Sequence, residues 1–176
     1  MSADLRTLQW RWYLINILSL DQSSTKTGWA FFQDNALQKH GVIDCHKIKG
    51  EERFHVMSYR IISLIGNSPQ IDYVIIEDTV LQRSPATMKQ LSQLQGVVIG
   101  YCIEHGIPYD VYHPTSWRKL LEFEQGKGTK REQLKQQSQQ FVEDTYQISV
   151  SDDESDAICI GLAYIKKNFK NTEDKN

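Results

Sequence analysis

The sequence predicts an α/β fold: a mixed five-stranded sheet, three antiparallel strands followed by two parallel ones, flanked by helices. Early in the chain, three short apolar runs are separated by turn residues, the pattern of a strand meander. Two more short apolar runs then alternate with segments of helical period, an order that lays strands parallel. The 176 residues, 40% of them hydrophobic, suit one domain with its own core.

Residues 1–13 read as an N-terminal extension, in which Trp10, Arg11, Trp12 and Tyr13 make an aromatic and basic lead-in that fits neither period. Residues 14–20 are almost continuously apolar, which predicts a central strand covered on both faces. Residues 28–32 and 37–44 supply the next two strands. Over 52–65, Phe54, Val56, Met57, Ile61, Ile62, Leu64 and Ile65 recur at helical spacing until Gly66-Asn67 stops them. Residues 73–76 form a short buried strand that ends in Glu77-Asp78. Ser84 and Pro85 then supply an N-cap and a first-position proline for a helix reaching about residue 105. Its inner face is Met88, Leu91, Leu94, Val98 and Ile99. Residues 108–112 are the last strand, 114–121 and 129–146 are helices joined by Glu-Gln-Gly-Lys-Gly, and 153–167 is a final helix burying Ile158, Leu162 and Ile165. A polar tail covers 170–176, so the single domain is 14–169.

A mean hydropathy of −0.49 and the lack of a bilayer-length apolar stretch argue against a membrane protein. Cys45, Cys102 and Cys159 are odd in number, scattered and set in apolar company, which suggests buried small hydrophobes rather than disulfides or a zinc site. No signal peptide is visible, and a cytoplasmic location is the simplest reading.

The net charge of −2 conceals an asymmetry. Residues 114–140 carry six bases (Arg118, Lys119, Lys127, Lys130, Arg131, Lys135) against three acids, and 143–156 carry six acids and no base. A basic surface beside an acidic cluster is what a metal-dependent enzyme acting on phosphates needs.

The acids have a pattern. Asp21 closes the first strand and Glu77 the fourth, and the carboxyl ends of strands are where ligand groups collect in such sheets. Asp153 and Asp156, three apart at the start of the last helix, share a helix face. Carboxylates converging without His or Cys suit hard Mg²⁺ or Mn²⁺, and two such ions about 4 Å apart clamp the attacking and leaving oxygens of a phosphoryl transfer. Without a cation, that much negative charge is destabilising. Each acid alone has a plainer job: Asp21 can cap a turn, Glu77 can meet water, and Asp153 and Glu154 can serve a helix N-terminus. Acids at two buried strand ends and one helix start favour a site.

The order LSLDQSSTKTGWAFF, VIIEDTVLQRSPATMKQLSQLQGVV, HPTSWRKLL with GKGTKREQLK, and DDESDAICIGLAY resembles the RuvC-type Holliday junction resolvases, particularly the short versions encoded by phages. The resemblance implies an RNase H-like fold, a homodimer in a bacterial or phage-infected cell, and paired nicking of four-way DNA junctions with Mg²⁺ or Mn²⁺. It carries the family's acids onto Asp21, Glu77, Asp153 and Asp156, with Asp21 bridging two ions. Asp152 and Glu154 compete with Asp153 for the third position. Lys127, Lys130 and Arg131 fall where the family places DNA-facing bases, and Gly126 and Gly128 would let the backbone approach phosphates. Arg118 and Lys119 add to that surface or cover helix stems.

The pattern departs from the family after the second acid. Many relatives carry an aromatic wedge there, and this chain has Thr-Val-Leu-Gln-Arg, leaving Val80 or Leu81 as a weaker apolar wedge. Gly96 and Gly100 suit close helix packing, within the chain or at a dimer interface. Rival readings are an RNA-processing nuclease of the same fold, a non-catalytic DNA-binding protein, and a nucleotide-binding module. The last lacks a second lobe and a second glycine-rich phosphate loop.

Overall fold

The computed structural model describes residues 15–80 and 84–169. The predicted extension at 1–13, the tail at 170–176 and Leu81 lie outside the described residues. The elements in chain order are β1 (Asn16–Asp21), β2 (Lys26–Gln33), β3 (Ala36–Asp44), α1 (Gly50–Asn67), β4 (Tyr73–Glu77), α2 (Pro85–Glu104), β5 (Tyr109–Tyr112), α3 (Pro114–Leu120), α4 (Arg131–Tyr146) and α5 (Asp152–Asn168).

They form one five-stranded sheet in the order β3-β2-β1-β4-β5. β1 lies in the middle, antiparallel to β2 and parallel to β4, and β5 continues parallel beyond β4. This is the predicted meander followed by parallel strands. Asp34 and Asn35, both at positive φ, make the two-residue turn between β2 and β3, a conformation these short polar residues tolerate.

Side chains alternate across a strand, and here the alternation sorts the core into two layers. Leu18 and Leu20 of β1 and Val74 and Ile76 of β4 pack with Met57, Ile61 and Ile65 of α1 and with Leu94, Val98 and Cys102 of α2. Ile17, Ala30, Phe32 and Ile75 point the other way, against Ala157, Ile158, Ile160, Ala163 and Tyr164 of α5, with Trp117 of α3 and Val142 of α4 beyond. Nine residues of α5 are buried, far more than one apolar stripe supplies. The helix is sandwiched between the sheet and α3 and α4, so both of its sides need apolar residues.

The structure adjusts some local expectations. α4 starts at Arg131 because Lys130 is extended and its N–H is taken by the Gln133 side chain at 2.8 Å. On α2 the fully buried set is Leu94, Val98 and Cys102; Met88, Leu91 and Ile99 are half-buried. Trp29 is also only half-buried, its ring lying over Gly41. A Cβ on Gly96 or Gly100 would meet nothing within 4 Å, so among the described residues neither is a packing point. All three cysteines are free and buried. Among the described residues no helix is long and apolar enough to cross a membrane.

Candidate active site

Strand alternation decides where the first two acids point. Ile17 and Ser19 of β1 face α5, so Asp21 faces it too; Ile75 of β4 faces α5, and Glu77 follows by the same period. The parallel register pairs Leu20 with Ile76, which sets Asp21 and Glu77 side by side at the carboxyl edge of adjoining strands.

α5 is drawn onto that edge by small residues. The buried Ser19 hydroxyl donates to the carbonyl of Ala157 at 2.7 Å. A Cβ on Gly28, the register partner of Asp21, would lie 1.8 Å from the carbonyl oxygen of Asp153. A Cβ on Gly161 would lie 2.3 Å from the Phe32 ring and 2.8 Å from Ser19 Oγ. Two glycines and a serine thus let the helix sit close enough for its first turns to reach Asp21.

That first turn holds Asp152, Asp153 and Glu154, and their partners distinguish them. Asp152 is bonded by Lys135 of α4, which holds its carboxyl below the ordinary value. Glu154 closes a capping box with Ser151, receiving its backbone N–H at 3.2 Å and its hydroxyl at 2.7 Å, and also meets His40 Nδ1 at 2.8 Å. Burial pushes Glu154 up, but these hydrogen bonds outweigh it and its carboxyl stays below the ordinary value. Asp153 has no such engagement among the described residues, and its charge acts on Asp21. Burial, then the charge of Asp152, raises the Asp153 carboxyl.

The acids repel one another. The Asp21 carboxyl is raised well above the ordinary value by burial, then by the charges of Glu77, Asp156 and Asp153. Asp156 is pushed up to about 6, mainly by burial and then by Glu77, against the pull of the Ser138 hydroxyl and Arg118.

Among the sequence-predicted bases, Arg118 is turned inward. Its guanidinium lies 4.5 Å from the Trp117 ring centre, and Nη2 stands 3.9 Å from both Glu77 Oε1 and Asp156 Oδ2. Lys119 is exposed on α3. Lys127, Lys130 and Arg131 are exposed in the loop before α4 and at its start. Val80 is half-buried just after β4.

One neighbour of the acids escaped the sequence reading, and another fills the helix N-terminal role the sequence offered it. Trp117 Nε1 donates to Glu77 Oε1 at 2.8 Å, a contact no local pattern announces. Glu154 serves as a capping partner, and here the signal was present in Ser151-x-x-Glu154.

The donor set tests whether divalent ions belong here. Asp21, Glu77, Asp153 and Asp156 offer carboxylate oxygens only, the kind hard cations take. Among the described residues Asp156 Oδ1 is buried without a hydrogen-bond partner, and so are both amide atoms of Gln22 beside Asp21. Among the described residues no three acidic, His or Cys side chains close tightly enough to enclose one ion. The acids form an open, mutually repelling group with one guanidinium for compensation, and in charge and donor type they fit a divalent cation.

The family model for crossover junction endodeoxyribonuclease RuvC matches residues 17–164 of this chain. RuvC endodeoxyribonucleases from two strains of Nitratidesulfovibrio vulgaris, Hildenborough and DP4, are 28% and 27% identical to it over 111 residues. Those matches cover 61% of this chain and 66% of each relative, just under two thirds of their length. The structure of Thermus thermophilus RuvC in complex with a Holliday junction substrate superposes with a TM-score of 0.69 at 15% identity, covering 90% of this chain and 97% of that one. The yeast mitochondrial Holliday junction resolvase Ydc2 gives 0.56 at 12% identity over 93% of this chain and 85% of its own. At these identities the two structures speak to the fold, which they share across nearly its whole length. With most of the chain inside the family match and the same fold around it, this protein belongs to the RuvC crossover junction endodeoxyribonuclease family.

Proposed function

We propose that this protein is a metal-dependent endonuclease that resolves four-way DNA junctions by paired nicks. The observation that carries the reading is the meeting of Asp21, Glu77 and the α5 acids Asp153 and Asp156 at the carboxyl edge of β1 and β4, in a chain of the RuvC family. The structural relative bound to a Holliday junction supports the choice of substrate.

In this reading Asp21, Glu77, Asp153 and Asp156 hold two Mg²⁺ or Mn²⁺ ions. Bound there, the ions supply a nucleophile at neutral pH and charge stabilisation at the scissile phosphate. The chain's own residues prepare the place. The rigid central strand fixes Asp21, and the Ser19 bond holds α5 over it. Trp117 holds one oxygen of Glu77, and Arg118, between Glu77 and Asp156, tempers their repulsion before a cation arrives. Lys127, Lys130 and Arg131 orient the DNA backbone through phosphate contacts, Lys119 adds a further contact, and Val80 or Leu81 serves as a weak apolar wedge against unstacked bases. A homodimer would supply the two cuts; Gly96, Gly100 and the 65% exposed Ile103 lie on one outward face of α2, suited to a second copy.

The test is cleavage of labelled four-way, forked, duplex and single-stranded DNA and of structured RNA, each with and without Mg²⁺ or Mn²⁺. Symmetric, metal-dependent cuts confined to junctions support the reading. Cleavage of RNA alone rejects it in favour of an RNA-processing nuclease, and junction binding with no nicking rejects it in favour of a non-catalytic binder.

A further inference from the structure

Trp117 has no exposed surface, and a buried indole N–H needs an acceptor. The acceptor here is Glu77 Oε1, 2.8 Å away, a carboxylate of the candidate site brought in from a strand forty residues earlier in the chain. Arg118 approaches the same oxygen. Both donors therefore address Oε1, which leaves Oε2 as the oxygen that neither of them takes.

The surroundings make Trp117 a rigid donor. His113 caps the first turn of α3 by accepting the Thr115 N–H, and Pro114 is buried behind it. The Trp117 ring meets Phe123 edge to face at 5.9 Å, and Phe123 in turn meets Phe141 of α4 at 5.4 Å. Arg118 lies over the indole and stays 3.9 Å from both acids, too long for a good hydrogen bond. An arginine free to close on Glu77 would capture both oxygens in a bidentate pair and exclude a metal. A neutral N–H on Oε1 holds the carboxylate without cancelling its charge.

From this geometry we propose that Trp117 is the positioning residue of Glu77, its indole N–H fixing Oε1 so that Oε2 is presented to a divalent cation. The proposal rests on the metal-site reading above. Groups that orient metal ligands typically change metal affinity 10- to 100-fold when removed, and that is the size of effect it requires.

The experiment is calorimetric titration with Mn²⁺ of the full chain, of Asp21→Asn, Trp117→Phe and Glu77→Gln, and of the double variant Trp117→Phe/Glu77→Gln, with melting temperatures in EDTA recorded alongside. Trp117→Phe should weaken Mn²⁺ binding about 10- to 100-fold and change nothing further in the Glu77→Gln background, the non-additivity of two residues acting as one. A packing role would instead lower the melting temperature in both backgrounds and leave Mn²⁺ affinity alone. Unchanged affinity in Trp117→Phe, or the same loss with and without Glu77, overturns the proposal. If the parent binds no Mn²⁺, or Asp21→Asn binds it equally well, the metal-site reading fails and takes the proposal with it. If the parent and Asp21→Asn behave as expected and only Trp117→Phe is silent, the proposal fails alone. Should Trp117→Phe not fold, the indole N–H resonance of Trp117 in the parent decides: it should move on Mg²⁺ addition, and an unmoved signal overturns the assignment.

Discussion

The carbonyl of Asp153 fills the space where any side chain on Gly28 would begin: a Cβ there would lie 1.8 Å from that oxygen and 2.5 Å from its carbon. The obstacle is backbone on one side and a central strand pair on the other, so neither can yield cheaply. Gly28→Ala should destabilise the protein by about 1–3 kcal/mol, the usual cost of overpacking, and lift the start of α5 from Asp21. Urea denaturation measures the first effect and junction nicking the second. Full stability with full activity would mean that α5 does not sit as described.

Substitution of Asp21 should separate binding from cutting. Asp21→Asn keeps the strand and its shape but removes the central charge, and nicking should fall by roughly a thousandfold or more, corresponding to several kcal/mol of lost stabilisation. Junction affinity, set by bases elsewhere, should change little in a gel-shift assay. Cleavage at the parent rate would remove Asp21 from the centre.

The three consecutive acids of α5 should respond differently. Asp153→Asn should lose nicking, whereas Asp152→Asn should cost only a partly exposed ion pair with Lys135, about 0–1 kcal/mol. Glu154→Gln should retain activity and lower the melting temperature slightly through its weakened bond to His40. Side-by-side nicking rates and melting curves of these variants check the order.

The acids should make the metal-free protein more stable as pH falls. The folded-state pKa of Asp156, about 6, and the raised pKa of Asp21 both lie above the value of an unfolded aspartate. Between the folded and unfolded values, the folded chain therefore binds protons that the unfolded chain does not, and stability falls as pH rises through that window. In EDTA the melting temperature should climb from pH 7.5 to pH 5. Asp156→Asn should flatten this slope and, at pH 7.5, stabilise the metal-free protein by about 1–3 kcal/mol. Mg²⁺ should raise the melting temperature of the parent most at the higher pH, and a parent whose stability rises with pH over this range would contradict the geometry.

The exposed bases should govern salt dependence. Replacing Lys127, Lys130 and Arg131 by Ala should weaken junction binding and reduce the slope of log affinity against log salt by about one for each phosphate no longer neutralised. Mn²⁺ affinity, measured without DNA, should be untouched. An unchanged slope would move the DNA path elsewhere.

The order of elements was legible because each apolar run has a clean period and most runs end at a turn residue or a cap. The positions of Asp21 and Glu77 were legible for the same reason, since a polar residue closing a buried strand stands out. Asp153 could not be separated from its neighbours by sequence, because the distinction lies in Lys135 and His40, which reach the helix from other elements. Arg118 read as a surface base since nothing local shows that α3 packs on α5 and turns that side chain toward the acids. The depth of α5 was hidden too: its helical stripe reports one buried side, and the second side depends on α3 and α4 arriving behind it.

Half of the proposed centre is delivered by α5, which follows every other described element in chain order. A chain growing from the ribosome presents Asp21 and Glu77 early, yet it lacks Asp153 and Asp156 until α5 emerges and closes over the sheet. Synthesis then carries its own safeguard: a half-made copy lacks two of the four acids of the proposed centre, which is complete only once α5 is in place.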